Sequence, residues 1–392
     1  MKRIVFLSFY FEPDLCAGSF RNTSLAKELG LELKSKKVII DVYTTYPNRY
    51  KSFKKHVNAY EKFDNLNIYR IKVPSHQSGM FDQVLTFSKF YFSALKLNKG
   101  RQVDLVFAST SRLFTGFLGY KLAKKNKAPL FLDIRDIFVD TMTDILNPSI
   151  FKSLTIKYLK YIEYKTFNYA CHINLISKGF KDYFIKFKNK NFSFFSNGID
   201  DEFLKNENSM NRFKNSNTKL IVYAGNIGEG QGLDKIIPQS AKRLGNNFTF
   251  LIYGDGGAKH KLKKEIDNLS IKNVILKDPV TRIELKSIYN AADYLFLHLN
   301  DYPAFKKVLP SKIFELATYP KKIIAGVSGY SASFIKKEVT NCFVFNPCDI
   351  NSLVDFLEND QTAGNFDRGR FKRKFSRSLI NKQLSANIIN YL

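Results

Sequence analysis

Along nearly the whole chain, short apolar runs alternate with stretches of helical period. Arg3–Phe9, Val38–Thr44, Asn67–Lys72, Asp104–Ala108, Leu130–Ile134, His172–Ile176 and Phe192–Phe195 are rich in β-branched and aromatic residues and have the length of buried strands. Between them apolar residues recur three and four positions apart, as at Leu25, Ala26, Leu29 and Leu33 in a helix predicted over roughly 19–34. Further helices are predicted over 81–97, 114–124 and about 148–170. The pattern lapses after Asn197-Gly198, and the polar, Asn-rich stretch Lys205 to Asn217 reads as a linker. Alternation then restarts, with strands predicted at Leu220–Ala224, Phe248–Tyr253, Asn273–Leu276, Tyr294–Leu299, Lys322–Ala325 and Cys342–Phe345. A basic amphipathic helix, Phe371 to Leu392, has no strand after it. Such alternation predicts the α/β class, with parallel sheets covered on both faces. Occurring twice, it predicts two Rossmann-like domains with a cleft between them, over 1–200 and 201–370, and a final helix over 371–392 that packs back on the first domain.

The stretch LIVYAGNIGEGQGLDKIIP, Leu220 to Pro238, is the centre of this arrangement. An apolar strand leads into glycines at 225, 228, 230 and 232, and Leu233, Ile236 and Ile237 then open a helical face. Pro238 either kinks that helix or marks its first turn. Strand, glycine loop and helix bring backbone N–H groups to a phosphate. A plain tight connection gives the same pattern.

Charge narrows the partners. The 392 residues carry a formal net charge of +27, with 44 % hydrophobic residues. That excess implies an anionic partner: nucleic acid, an acidic membrane surface or a phosphorylated substrate. Lysines stand singly among aromatics and aliphatics, with no arginine-rich arm or zinc-finger spacing, which argues against nucleic acid. Cys16, Cys171, Cys342 and Cys348 are scattered, with neither zinc-ligand spacing nor a disulfide framework, as suits a reducing cytoplasm. MKRIVFLSFYFEP has the basic start and apolar run of a signal peptide. Glu12 and Asp14 occupy the place of a cleavage site, so the segment is read as a strand. No apolar run is long enough to cross a bilayer.

AGNIGEGQGLDKII, YGDGGAK, NAADYLFLHL and VLPSKIFELATYPKKIIA, in that order, resemble the retaining glycosyltransferases of family 4. The similarity is greatest to the branch that builds O-antigens and capsules, including N-acetyl-L-fucosaminyltransferases. FYFEPDLCAGSFRN, TTYPNRY, ASTSRLFTG, DIRDIF and SNGID extend the resemblance over nearly the whole chain. It implies a GT-B fold, two Rossmann-like domains facing each other across a cleft, with the donor on the second and the acceptor mainly on the first. No bound metal or cofactor is implied, and no acidic metal triad is visible.

Pro310-Ser311-Lys312 has residues suited to a helix start, where the N-terminus and the Lys312 ammonium suit a diphosphate. Otherwise Lys312 is a solvated helix lysine. The resemblance gives Glu315 the ribose hydroxyls; a partner of the helix dipole is the other reading. It also brings the Pro279 and Val280 backbone to the uracil edge, Gly254 to the nucleotide and Gly18 close to the diphosphate. The family pairs two glutamates eight apart, but here the earlier position is Lys307. Where the family's glycine loop carries Arg and Lys, Asn226 and Gln231 stand, beyond Gly225. The diphosphate must then be met by Lys312, Arg21, Lys306, Lys307 and Ser311. Arg135-Asp136 occupies the place of His-Asp in many relatives, and Asp136 is expected to orient or deprotonate an acceptor hydroxyl, unless it caps a helix. His172 is expected in the core, whereas His298 ends a strand near the cleft.

The resulting expectation is transfer from a UDP-sugar to a polyprenyl-diphosphate-linked acceptor. The protein would lie on the inner face of the cell membrane, held there by its basic charge. A UDP-sugar epimerase or a non-catalytic membrane-binding protein of the same fold are the alternatives. Phe81 to Arg101 and Phe151 to Lys165, with lysines between apolar residues, are the expected membrane-facing helices.

Overall fold

The computed structural model describes residues 1–49, 55–74, 80–110, 112–145, 150–187, 189–204, 218–360 and 366–392. The expected linker at 205–217 lies outside them. Two compact units are present, one of Met1–Asn197 with Arg377–Leu392, the other of Gly198–Ser376.

The first unit runs β1 (Lys2–Leu7), α1 (Ala17–Leu33), β2 (Val38–Thr45), β3 (Tyr60–Phe63), β4 (Leu66–Ile71), α2 (Met80–Leu97), β5 (Leu105–Ser109), α3 (Leu113–Asn126), β6 (Leu130–Ile134), α4 (Phe138–Ile145), α5 (Ile150–Tyr169), β7 (His172–Leu175), α6 (Lys181–Phe184) and β8 (Asn191–Ser193). Its eight strands lie in the order β3-β4-β2-β1-β5-β6-β7-β8, parallel except for the edge pair β3–β4. Successive side chains of β1 point to opposite faces. Ile4 and Phe6 join the core of Leu25, Leu29 and Leu33 from α1, whereas Leu7 lies by Gly119 of α3. On the α3 side, Phe87 and Phe90 of α2 and Ile156, Leu159 and Ile162 of α5 are buried. Those five, counted among the apolar residues of the expected membrane-facing helices, pack inward, whereas Leu85, Phe92 and Leu154 of the same helices stand outward.

The second unit runs α7 (Asp201–Leu204), β9 (Lys219–Asn226), α8 (Leu233–Leu244), β10 (Phe248–Asp255), α9 (Lys259–Asn268), β11 (Val274–Lys277), α10 (Arg282–Ala291), β12 (Tyr294–His298), α11 (Lys312–Leu316), β13 (Lys322–Gly326), α12 (Gly329–Glu338), β14 (Cys342–Phe345), α13 (Ile350–Asn359) and α14 (Gly369–Lys374). Its six parallel strands lie in the order β11-β10-β9-β12-β13-β14. Strand order therefore reverses between β9 and β12, and in open sheets ligands bind beyond the carboxyl ends at such a point. Pro238 sits inside α8, neither at its first turn nor before it.

The expected terminal helix is two helices. In α14, Phe371 and Phe375 pack against Phe314 and Phe334 of the second unit. After Ser376, α15 (Arg377–Ile389) returns to the first unit, where Leu384 and Ile388 join the α1 core. One continuous helix cannot serve both cores, so the chain turns at 375–376.

Candidate donor and acceptor sites

In the second unit the sequence-predicted residues lie beyond the carboxyl ends of parallel strands. Gly225 and Asn226 end β9, Gly254 lies near the end of β10, Pro279 and Val280 follow β11, and Lys307, Ser311, Lys312 and Glu315 follow β12. Close backbone approach requires glycine at 254, where a Cβ would overlap the Gly225 carbonyl oxygen.

The glycine loop is braced by its own side chains. Asn226 Nδ2 donates to Gln231 Oε1 at 2.7 Å, and the Gly228 N–H donates to the same oxygen at 3.2 Å. The two residues that stand where the family's loop carries Arg and Lys thus shape the loop, with one 3₁₀ turn at Glu229–Gln231 before α8. From β12, the His298 ring donates through Nδ1 to the Gln231 carbonyl at 2.7 Å and accepts the Cys348 N–H on Nε2 at 2.9 Å. Those two bonds fix the neutral tautomer, and burial pushes the imidazole down to about 4. His298 is a structural tie. Asn300 adds another, donating to the Glu229 carbonyl at 2.8 Å and accepting from Lys235 Nζ at 3.0 Å, while the Tyr302 hydroxyl donates to Glu229 Oε1 at 2.9 Å. Sequence reasoning missed these ties, since their partners lie some 70 positions apart with no shared motif.

Lys312 Nζ reaches both oxygens of Glu315 at 3.1 Å, with side-chain exposures of 25 % and 14 %. Both ends of the pair remain open to a ligand on one side. Beneath Glu315 lie Tyr289 and Tyr319, whose phenols are held well above their ordinary range by burial and by this carboxylate. The helix carrying the pair is five residues long and Ser311 makes no side-chain cap, so a macrodipole contributes little and the ammonium carries the positive charge. Pro279 and Val280 sit between β11 and α10, which opens with a reciprocal Thr281–Glu284 cap. Arg282, unremarked in the sequence, pairs with Asp200 and Glu202 and lies over the Phe203 ring.

In the first unit one expected anion contact is a correction. Arg21 is fully buried, with Nε and Nη2 on the two carboxylate oxygens of Asp133 at 2.9 Å and further bonds to the Phe195 and Ser196 carbonyls. Committed to these four acceptors, Arg21 has no N–H surface for a diphosphate. It pins α1 to β6. Arg135 is the guanidinium with donors to spare: Nε and Nη1 have no hydrogen-bond partner. It lies against the first turn of α1, where a Cβ on Gly18 would overlap it. A side chain at 18 would have to displace the Arg135 guanidinium. Burial lowers that guanidinium to about 10, which leaves it charged at neutral pH. Asp136 accepts from Thr141 Oγ1 at 3.4 Å and from the Ile137 N–H, both local to α4, while burial pushes its carboxyl up to about 6. His172 is buried between Tyr391 and Ser193, as expected.

Among the described residues no cluster of His, Cys, Asp or Glu is placed to hold a metal ion, and no described helix is long and apolar enough to cross a membrane.

Comparison with known proteins agrees with this fold. Over the whole chain the structure is similar to sucrose-phosphate synthase from Thermosynechococcus elongatus, at 13 % identity, 99 % of that chain covered and a TM-score of 0.76. It also resembles Anabaena HepE in complex with UDP-glucose, at 14 % identity, full coverage of both chains and a TM-score of 0.68. A third neighbour is the lipopolysaccharide outer core galactosyltransferase WaaB, at 14 % identity, full coverage of both chains and 0.61. An Escherichia coli K12 protein, provisionally named colanic acid biosynthesis glycosyl transferase WcaI, is 28 % identical over 115 residues. That match spans 29 % of this chain and 28 % of the relative's length. Residues 205–366 match the family model described as Glycosyl transferases group 1. The chain therefore has the GT-B fold and carries a Glycosyl transferases group 1 domain in its second unit.

Proposed function

We propose that this protein is a retaining glycosyltransferase of bacterial surface polysaccharide synthesis, O-antigen or capsule. It moves a sugar, an N-acetylated amino sugar such as N-acetyl-L-fucosamine, from UDP to a polyprenyl-diphosphate-linked acceptor. One observation carries this reading: the family match falls on the unit whose sheet reversal gathers the glycine loop and the half-open Lys312–Glu315 pair. The UDP-glucose complex of HepE and the lipopolysaccharide role in the name of WaaB support the donor and pathway classes.

In this reading Glu315 accepts from the ribose hydroxyls and Lys312 meets the diphosphate. The Pro279–Val280 backbone borders the base, and Gly225, Gly254 and Ser311 leave room for the nucleotide. The bond from the anomeric carbon to the diphosphate oxygen breaks and a bond to the acceptor oxygen forms on the same face. The acceptor proton passes to the departing diphosphate. Charge grows on that leaving group, so catalysis rests on stabilising it, by Lys312, without a bound metal. Ionised Asp136 accepts a hydrogen bond from the acceptor hydroxyl and orients it. The enzyme works in the cytoplasm at the inner face of the membrane.

The test incubates the protein with UDP-sugars, with and without a polyprenyl-diphosphate-linked acceptor, in the presence and absence of EDTA. Acceptor-dependent UDP release that survives EDTA is expected. Sugar isomerisation without acceptor would convert the reading to an epimerase, a role that the backbone-tied His298 does not favour.

A further inference from the structure

The outward faces of α2 and α5 are unlike ordinary solvated helix faces. On α2, Leu85, Lys89, Phe92 and Lys96 recur four, three and four residues apart, forming one stripe. Leu85 is 65 % exposed and Phe92 67 %. On α5, Leu154, Tyr158, Tyr161 and Lys165 repeat the same spacing, and Tyr164 stands one turn beyond Tyr161. All four of its apolar and aromatic residues are more than half exposed. The two helices flank α3: Tyr91 of α2 stacks on Phe117 of α3, and α3 packs in turn against α5. One continuous surface results, with the buried residues of both helices turned to the sheet.

Its charge is predominantly positive. Lys89 and Lys96 lie on α2, Lys121, Lys124 and Lys125 on α3, and Lys157, Lys160 and Lys165 on α5, and the described side chains of these three helices include one acid, Glu163, with Asp140 and Asp144 on the neighbouring α4. Glu163 is buried and bonded to Tyr183 and Lys186, so it offers no negative charge at the surface. No arginine occurs on α2, α3 or α5. Protein interfaces favour arginine and deplete lysine, and base or phosphate recognition prefers the planar guanidinium. Lysine, by contrast, lays its methylenes along an apolar layer and keeps its ammonium among headgroups. Tyrosine, apolar in body and polar at its tip, is the residue of membrane–water boundaries. On the opposite side of the sheet α1 carries Glu28 and Glu32 beside Lys27, so the lysine excess is greater on the α2–α5 side.

We propose that the α2–α5 surface docks on an anionic lipid bilayer, with Leu85, Phe92, Leu154 and the three tyrosines entering the headgroup boundary and the lysines ringed by anionic lipid. This deepens the proposed function, since a polyprenyl-linked acceptor is presented at a bilayer face, and it takes its biological meaning from that reading. Binding itself needs neither donor nor acceptor.

The experiment is co-sedimentation of the full chain with vesicles of phosphatidylglycerol and phosphatidylcholine, or of phosphatidylcholine alone, at low and high salt. UDP affinity and thermal unfolding are measured on the same samples. Sedimentation with the anionic vesicles, lost at high salt, is expected. Lys89, Lys96 and Lys99 changed together to Glu should weaken it by at least about 100-fold, taking about fivefold for each lysine removed. The double variant Phe92→Ser, Tyr158→Ser should weaken it at least tenfold at unchanged lysine content. Leu31→Ser, on exposed α1, should bind like the native protein. These side chains are exposed, so unfolding temperature and UDP affinity should hold. Failure of the native protein to sediment at low salt overturns the proposal, as does equal loss with Leu31→Ser or retained binding in both face variants. Preference for RNA or an acidic protein over vesicles overturns it too. Vesicle binding without UDP binding would instead sink the donor assignment and leave this surface standing.

Discussion

Of the sixteen large apolar side chains that stand most exposed in the described structure, fourteen belong to the first unit and two, Ile275 and Ile283, to the second. The second unit turns its apolar residues inward and ties its loops to one another, Gln231 to Asn226, His298 to Gln231 and Asn300 to Glu229. Loops fixed in advance suit recognition of a small, highly charged ligand, because little ordering remains to be done on binding. The first unit builds its sheet as fully but leaves two helix faces apolar, basic and open. On the two readings proposed above, the contrast separates two tasks: chemistry on a rigid scaffold, and adhesion through surface that asks only for sign and hydrophobicity.

If that division is right, substitutions in the second unit change nucleotide chemistry without touching adhesion. The largest effect is expected at Lys312. Lys312→Ala should lower kcat about 10²-fold or more, as for loss of one electrostatic donor, with vesicle binding unchanged. A change confined to KM would reduce Lys312 to docking.

Next in size is Asp136, which belongs to the first unit yet is assigned to chemistry. Its carboxyl is raised to about 6. Transfer by the native enzyme should therefore climb as pH rises through about 6, when the proton leaves. Asp136→Asn should reduce transfer about 10²-fold, abolish that limb and spare UDP affinity. A native pH profile in the variant would return Asp136 to its hydrogen bonds at the start of α4.

Glu315→Ala should weaken UDP binding by roughly 1.5–3 kcal/mol, read by calorimetry. The ion pair sharpens this test. Lys312 and Glu315 hold one another, so the double variant should lose less than the sum of the single losses. Strict additivity would mean that the pair does not act as one unit.

The smallest effect concerns stability. The His298 imidazole is depressed to about 4, below its unfolded value near 6.5. Its contribution is present above about 6.5 and is lost as pH falls towards 4, because the unfolded chain takes the proton first. Between pH 6.5 and 5 the native protein should lose roughly 1–2 kcal/mol that His298→Asn does not, as followed by chemical denaturation. Parallel pH curves for the two proteins would show that His298 does not tie the glycine loop.

Much of the fold was legible because period and strand length are local. The Leu220–Ala224 run lies within β9, and the two sets of alternating elements became two sheets. Features that depend on distant partners were not legible. An arginine three residues past Gly18 looks the same whether it faces solvent or, as here, meets Asp133, which is 112 positions away. The turn at 375–376 is equally invisible, since Phe371 and Phe375 continue the helical period and only their ring partners reveal the break. On α5 apolar residues alone do not separate the two faces: Leu154 stands outward while Ile156, Leu159 and Ile162 are buried, and the exposed tyrosines complete the outer face.

The second unit begins and ends at neighbouring points: Ile199 and Ser376 form a parallel bridge, and the Ile199 N–H bonds the Phe375 carbonyl at 2.8 Å. A body whose entrance and exit adjoin is an insertion, and residues 198–376 form one uninterrupted segment of coding sequence. Recombination can exchange such a segment without opening the host sheet. On the proposed reading donor choice lies in this insert, and swapping it while the host is kept would change the sugar transferred.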